Sequence, residues 1–146
     1  MDDEDIYRKN RDDLIRHATV LVGPADADDV VSTVVLRVLA RQRLGDLDEP
    51  RPYLFRAVLN ESRALLGRRR APLTVTDVVF MPEVERPEVL EAVLGLPAQQ
   101  RAATYLVYWA GTSITETETL MGIRPGTVKR YLYLARRVLR GTLHGS

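Results

Sequence analysis

Apolar residues recur at helical spacing in several stretches of the chain, and glycine, proline or polar loops separate these stretches. Segment 30–38, V-V-S-T-V-V-L-R-V, is rich in β-branched residues and could also form a strand. Its length favours a helix, as do the acidic residues before it, among which Asp26 is the expected N-cap. The sequence therefore predicts an all-α fold, with helices over 5–22, 26–41, 53–66, 88–94, 98–109, 113–121 and 124–140.

The helices form two groups, which a proline-interrupted acidic segment separates. We expect two small helical domains, 1–70 and 88–146, joined by a flexible linker over 71–87. The linker contains L-T-V-T-D-V-V-F-M, which could be a strand, but the sequence offers no second strand to pair with it.

The last predicted helix separates apolar from basic residues. Its apolar arc holds Val128, Tyr131, Leu132, Ala135, Val138 and Leu139. Six basic residues and no acid occupy the segment, and the helix over 113–121 precedes it with a turn at 122–124. This spacing indicates a helix-turn-helix, whose second helix enters the major groove of DNA. An ordinary amphipathic surface helix is the alternative, which the single sign of the charge disfavours.

Positions along this helix suggest different DNA contacts. Its N-terminal part would reach base edges, through Arg124, Thr127, Lys129, Arg130 and Tyr133. Arg136, Arg137 and Arg140 lie farther along and would contact phosphate.

The first domain offers a second basic surface. Arg56, Asn60 and Arg63 share a helix face beside the polar loop 42–49, and Arg68-Arg69-Arg70 follows. Asn can pair with a base edge, and a loop near aromatic residues could hold an unstacked base. An exposed helix residue without a ligand is the alternative for Asn60.

Composition disfavours other classes of function. The 146 residues carry a net charge of only +1 and no cysteine, which excludes disulfides and thiolate sites. The two histidines, His17 and His144, lie at opposite ends of the chain, and no catalytic motif occurs. We therefore expect a protein that is not an enzyme, with no cofactor and no metal. The N-terminus is acidic and no apolar run is long enough for a membrane span, so we expect a cytoplasmic protein without membrane insertion.

The order of these motifs resembles the extracytoplasmic-function (ECF) group of bacterial RNA polymerase sigma factors over nearly the whole chain. The matching segments are D-A-D-D-V-V at 26–31, P-Y-L-F-R at 52–56 with Asn60 and Arg68-Arg69-Arg70, L-P-A-Q-Q-R at 96–101, and P-G-T-V-K-R at 125–130. Each motif alone is weak, whereas their order and spacing together are specific.

The resemblance implies a division of labour between the domains. The first, similar to sigma region 2, would bind the β′ clamp helices of core RNA polymerase and melt the −10 element. The second, similar to region 4, would bind the −35 element and the β flap, and an anti-sigma factor is a further candidate partner. The resemblance implies polymerase contacts at Asp28, Asp29, Thr33 and Arg37, and −10 contacts at Arg56, Asn60, Arg63, Arg68, Arg69 and Arg70.

Three departures from the family pattern stand out. Ser32-Thr33-Val34-Val35 replaces a Gln-Glu-Thr-aromatic run, Tyr53 replaces a residue that is often Trp, and Glu118 replaces a small Ala. A carboxylate at position 118 must point to solvent or find a partner, because burying it alone is costly. Two alternatives therefore stay open: a stand-alone helix-turn-helix regulator, and a degenerate sigma homologue that binds polymerase or an anti-sigma protein without initiating transcription.

Overall fold

A computed structural model describes residues 2–68 and 87–144, which form α-helices, one short 3₁₀ turn at Leu44–Asp46 and no strand. The all-α prediction is confirmed, and every predicted helix is present. The helices are α1 (Asp3–Val22), α2 (Pro24–Leu39), α3 (Pro50–Arg68), α4 (Pro87–Leu94), α5 (Ala98–Tyr108), α6 (Ile114–Met121) and α7 (Thr127–His144).

Helices α1 and α2 meet at a glycine–proline corner. Gly23 has a φ of 91° and ends α1, and Pro24 begins α2 at once. Proline suits a first turn because its missing N–H needs no partner there. The prediction of Asp26 as the N-cap was therefore wrong: Gly23 is the N-cap, and Asp26 lies within the first turn of α2.

The valine-rich segment 30–38 is helical, so the strand alternative is wrong. One side of α2 packs against α1 and α3, which contribute Leu14, Leu21, Leu54 and Phe55 to the same core. Burial of this apolar side stabilises the helix despite the low helix propensity of β-branched residues. The buried valines of α2 are Val30, Val31, Val34, Val35 and Val38.

In the second group of helices, α6 is capped at both ends. The Ser113 hydroxyl accepts the N–H of Glu116 at 3.0 Å, and Gly122 ends α6 in the left-handed conformation. Helix α7 begins at Thr127, three residues later than predicted. It buries Val128, Leu132 and Ala135 against α4 and α5. Val138, which the sequence placed on the core side, is 45% exposed.

The two helical groups pack against each other and share one hydrophobic cluster. Helix α1 contacts α5, and α3 contacts α6. The buried Arg101 of α5 donates to the carbonyl oxygens of Val20 and Leu21 at the end of α1, at 3.2 and 2.9 Å. The predicted domain bounds stay a prediction, because the linker lies almost wholly outside the described residues, as do Arg69, Arg70 and the candidate strand.

Candidate nucleic-acid and protein-binding surfaces

The outer face of α7 is basic and exposed, as the sequence predicts. Thr127 is partly buried at the start of this helix, and Arg124 lies in the turn just before it. Tyr133 is 57% exposed, and the Arg137 guanidinium lies 6.0 Å from its ring centroid. The other exposed side chains of this face are Lys129, Arg130, Arg136 and Arg140.

Two side-chain pairs hold α7 against α5. The Tyr131 hydroxyl donates to Gln99 Oε1 at 2.7 Å. Arg136 donates through Nε and Nη2 to the Tyr108 hydroxyl, at 3.2 and 2.8 Å. Arg136, predicted as a phosphate contact, therefore already has a partner on a neighbouring helix.

Glu118 is a buried residue of α6, and its carboxylate accepts the N–H of Gly126 in the turn before α7, at 2.6 Å. The sequence predicted that this carboxylate would either find a partner or point to solvent, and in the structure it has a partner. The sequence reveals the unusual residue but not its partner, because the two lie eight positions apart across a turn.

The predicted −10 residues of α3 are exposed, but their neighbours differ. Asn60 lines a groove of about 240 Å³ between α2 and α3, together with Arg37, Arg41 and Tyr53. The side chain of Arg56 reaches the end of α6, where it closely covers Gly122. Arg63 and Arg68 are exposed farther along α3.

The loop 42–49 is anchored away from this groove. Leu44 is fully buried, and the N–H of Gly45 donates to Asp3 Oδ1 at 3.1 Å, beside the start of α1. The pattern of polar residues in the loop did not reveal Leu44 as an anchor.

The predicted polymerase-binding residues form an exposed strip along α2. Asp28 pairs with Arg11 at 3.3 Å, and Arg37 pairs with Glu61 at 3.2 Å. Asp29 and Thr33 are exposed. Sequence reasoning missed Leu36, which lies on this strip and is 67% exposed. Its position outside the buried valine arc was the available signal.

His17 is a titratable residue that lies wholly inside the hydrophobic core. Burial lowers the pKa of His17 from 6.5 to about 4. Its ring packs 5.2 Å from Phe55 and 6.3 Å from Tyr105, measured between centroids, and its Nδ1 has no hydrogen-bond partner. His17 is thus a structural residue of the hydrophobic core.

Two features are absent from residues 2–68 and 87–144. Within these ranges no cluster of His, Asp and Glu could hold a metal ion. None of the helices described there is long and apolar enough to cross a membrane.

Two solved structures share the fold of this chain. The fold matches CnrH in complex with the cytosolic domain of CnrY, with a TM-score of 0.70 and 22% identity over 98% of this chain and 88% of that one. It also matches the sigma factor RpoE of Bartonella quintana in complex with the anti-sigma factor NepR, with a TM-score of 0.65 and 19% identity over 96% and 97% of the two chains.

Sequence comparisons identify the family. Residues 86–139 match the family model for Sigma-70, region 4. The chain is 29% identical to the RNA polymerase sigma-E factor of Streptomyces antibioticus, over 96% of this chain and 83% of the relative. It is 33% identical to the ECF RNA polymerase sigma factor SigL of Mycobacterium tuberculosis, over 94% of this chain and 86% of the relative. The chain belongs to the ECF family of RNA polymerase sigma factors.

Proposed function

We propose that this sigma factor directs core RNA polymerase to promoters by reading the −35 duplex with α7 and trapping a −10 base with α3. The observation that carries the proposal is the exposed face of α7, which carries basic residues and no acid and follows a helix-turn-helix turn. The proposed role is non-enzymatic and cytoplasmic, and it requires no cofactor.

At the −35 element, the first turns of α7 would contact base edges and later residues would contact phosphates. Lysine and arginine reach guanine acceptors in the major groove, which gives discrimination. Phosphate contacts add affinity that falls steeply with salt. The proposed base contacts are Arg124, Thr127, Lys129, Arg130 and Tyr133, and the proposed phosphate contacts are Arg136 and Arg137.

At the −10 element, the groove beside Asn60 is the candidate site for a flipped base. Its lining combines an amide, two guanidinium groups and the ring of Tyr53, which suit hydrogen bonding to a base and stacking on it. The DNA backbone would be held by Arg56, Arg63 and Arg68, together with Arg69 and Arg70, which lie outside the described residues.

Core polymerase would dock on the exposed strip of α2. Asp28, Asp29, Thr33 and Arg37 supply polar contacts there, and Leu36 supplies the apolar one. Two modules held on one polymerase raise each other's effective concentration at a promoter, so weak binding by each suffices. An anti-sigma factor that covers these surfaces is a further candidate partner.

Run-off transcription tests the proposal. Core RNA polymerase from the host would be supplied with fragmented genomic DNA, with and without this protein. We expect new discrete transcripts whose start sites share upstream −35 and −10 elements. Asn60→Ala should abolish these transcripts while co-purification with core polymerase persists, because only the base-trapping step is lost.

Other outcomes would assign a different role. Co-purification with core without new transcripts would indicate a polymerase-binding or inhibitory homologue. Neither transcripts nor core binding, together with tight binding of duplex by the isolated protein, would indicate a stand-alone regulator.

A further inference from the structure

Glu118 contacts both ends of the turn that joins α6 to α7. Its backbone carbonyl oxygen accepts the N–H of Ile123 at 3.1 Å, where α6 ends. Its carboxylate Oε2 accepts the N–H of Gly126 at 2.6 Å, where α7 begins. Glu118 is only 9% exposed, although Gly126 is exposed, so this short hydrogen bond is partly shielded from competing water. One residue therefore fixes the position of the second helix relative to the first.

Helix α7 lacks the capping residues that a helix usually carries in its own first turn. Gly126 is the N-cap, since its carbonyl oxygen accepts the N–H of Arg130 at 3.2 Å, and its φ is 92°. In a capping box, a Glu or Gln at the third helical position binds the N–H of the N-cap. Here the third helical position is Lys129, which has no acceptor. Glu118 supplies that acceptor from the preceding helix.

This arrangement leaves the DNA-facing side of α7 free. Lys129 is exposed, and no acid occupies the exposed face of α7. A negative charge close to the first N–H groups of a helix also favours the positive end of the helix dipole. The cap thus comes from the buried side, while the third helical position carries a cation that can reach a base.

We propose that Glu118 is a positioning residue for −35 recognition: it holds the backbone of Gly126 so that Arg124, Thr127 and Lys129 meet the base edges in register. The inference rests on the proposed function of α7 and adds a specificity-determining residue where the family pattern has a small alanine. Glu118 itself does not contact DNA.

The test compares E118A and E118Q with E116A, a control that removes the same charge from an exposed position of α6.

The first measurement is hydrogen exchange at the Gly126 amide by NMR. The second uses a promoter identified in the run-off experiment above. It is the amount of transcript from that promoter divided by the amount from the same promoter with a scrambled −35 element. We expect E118A to speed Gly126 exchange and to lower this ratio roughly fivefold, as for loss of a helix cap. E118Q, which keeps an acceptor, should restore most of the ratio, and E116A should match the unsubstituted protein.

Several results would overturn the inference. One is an E118A ratio equal to that of E116A. Another is a parallel loss of discrimination at a scrambled −10 element, which would indicate general destabilisation instead of positioning. If E118A does not fold, the result for E118Q decides. Should E118Q lose −35 discrimination while its Gly126 amide stays protected from exchange, the position of Gly126 would not be what sets recognition. Absence of −35 discrimination in the unsubstituted protein would instead refute the proposed function of α7, whatever the amide exchange shows.

Discussion

At the scale of single residues, the buried guanidinium group of Arg101 joins the two helical groups. Arg101 donates to Val20 and Leu21 in one group, and through Nε and Nη2 to Leu96 in its own group, at 3.3 and 3.1 Å. The last carbonyl oxygens of α1 have no partner within that helix, so an external donor satisfies them. Burial lowers the pKa of Arg101 from its ordinary value, and these hydrogen bonds offset the cost of burying the charge.

We expect R101M to lower the free energy of unfolding by about 2–4 kcal/mol, because the methionine fills space but leaves buried carbonyl groups without a donor. Urea denaturation followed by circular dichroism measures the change. R8M is the matched control: Arg8 lies on α1 with its side chain 70% exposed, so its replacement should cost less than about 0.5 kcal/mol. Equal costs for the two variants would mean that Arg101 does not join the groups in solution.

His17 makes the stability of the protein depend on pH. Because burial holds its pKa near 4 in the folded state, against 6.5 ordinarily, the unfolded chain binds more protons between these values. Stability is therefore greatest above pH 6.5 and falls as the pH drops from 6.5 to 4, by about 3 kcal/mol from this residue. The measurement is urea denaturation across this range for the unsubstituted protein and for H17Q. Carboxylates titrate in both, so the difference isolates His17, and parallel pH profiles would contradict the assignment.

At the scale of elements, the sequence predicted the helices well and their starts less well. Hydrophobic periodicity and glycine–proline punctuation are local signals, so they placed α1 to α7 within a few residues. The missed features depend on tertiary contacts. The cap of α7 comes from Glu118 in another helix, and Leu44 anchors a loop that reads as polar. Burial of Arg101 could not be predicted either, because its partners lie some 80 residues away in the chain.

The contact between α3 and α6 can be tested at Gly122. Its φ is 69°, and an added Cβ would lie 2.4 Å from Cδ of Arg56. We expect G122A to cost about 1–2 kcal/mol for the left-handed backbone, plus a further term for displacing Arg56. R56A removes the side chain that G122A would displace, so G122A should cost about 1 kcal/mol less in the R56A protein than in the unsubstituted one. Urea denaturation of the two single variants and the double variant measures this difference.

Gly111 provides the matched control for this cycle. Its φ is 71°, but an added Cβ would meet nothing within 4 Å. G111A should therefore show the backbone cost alone, with no coupling to R56A. If G122A and R56A are additive, the end of α6 does not rest on α3 in solution.

At the scale of the whole molecule, the packed arrangement conflicts with simultaneous reading of both promoter elements. The −35 and −10 elements lie about 25 base pairs apart, which is roughly 80 Å of B-form duplex at the rise per base pair of DNA. A compact chain of this length has a radius of gyration of only about 15 Å. In addition, Arg56, a proposed −10 contact, covers the turn next to the proposed −35 helix. The two helical groups must separate before both elements can be bound.

Separation of the groups can be observed directly, because the chain contains no cysteine and accepts specific labels. Dyes at K9C and T119C report on the two groups through exposed positions of α1 and α6. We expect energy transfer between them to be high in the free protein and to fall when core polymerase and a promoter are added, since the interface that Arg101 bridges must open. A second pair at K9C and A64C, both within the first group, should keep its efficiency. Unchanged transfer for the first pair under conditions that yield run-off transcripts would show that initiation proceeds from the packed form, and the −10 and −35 assignments to α3 and α7 would then have to be revised.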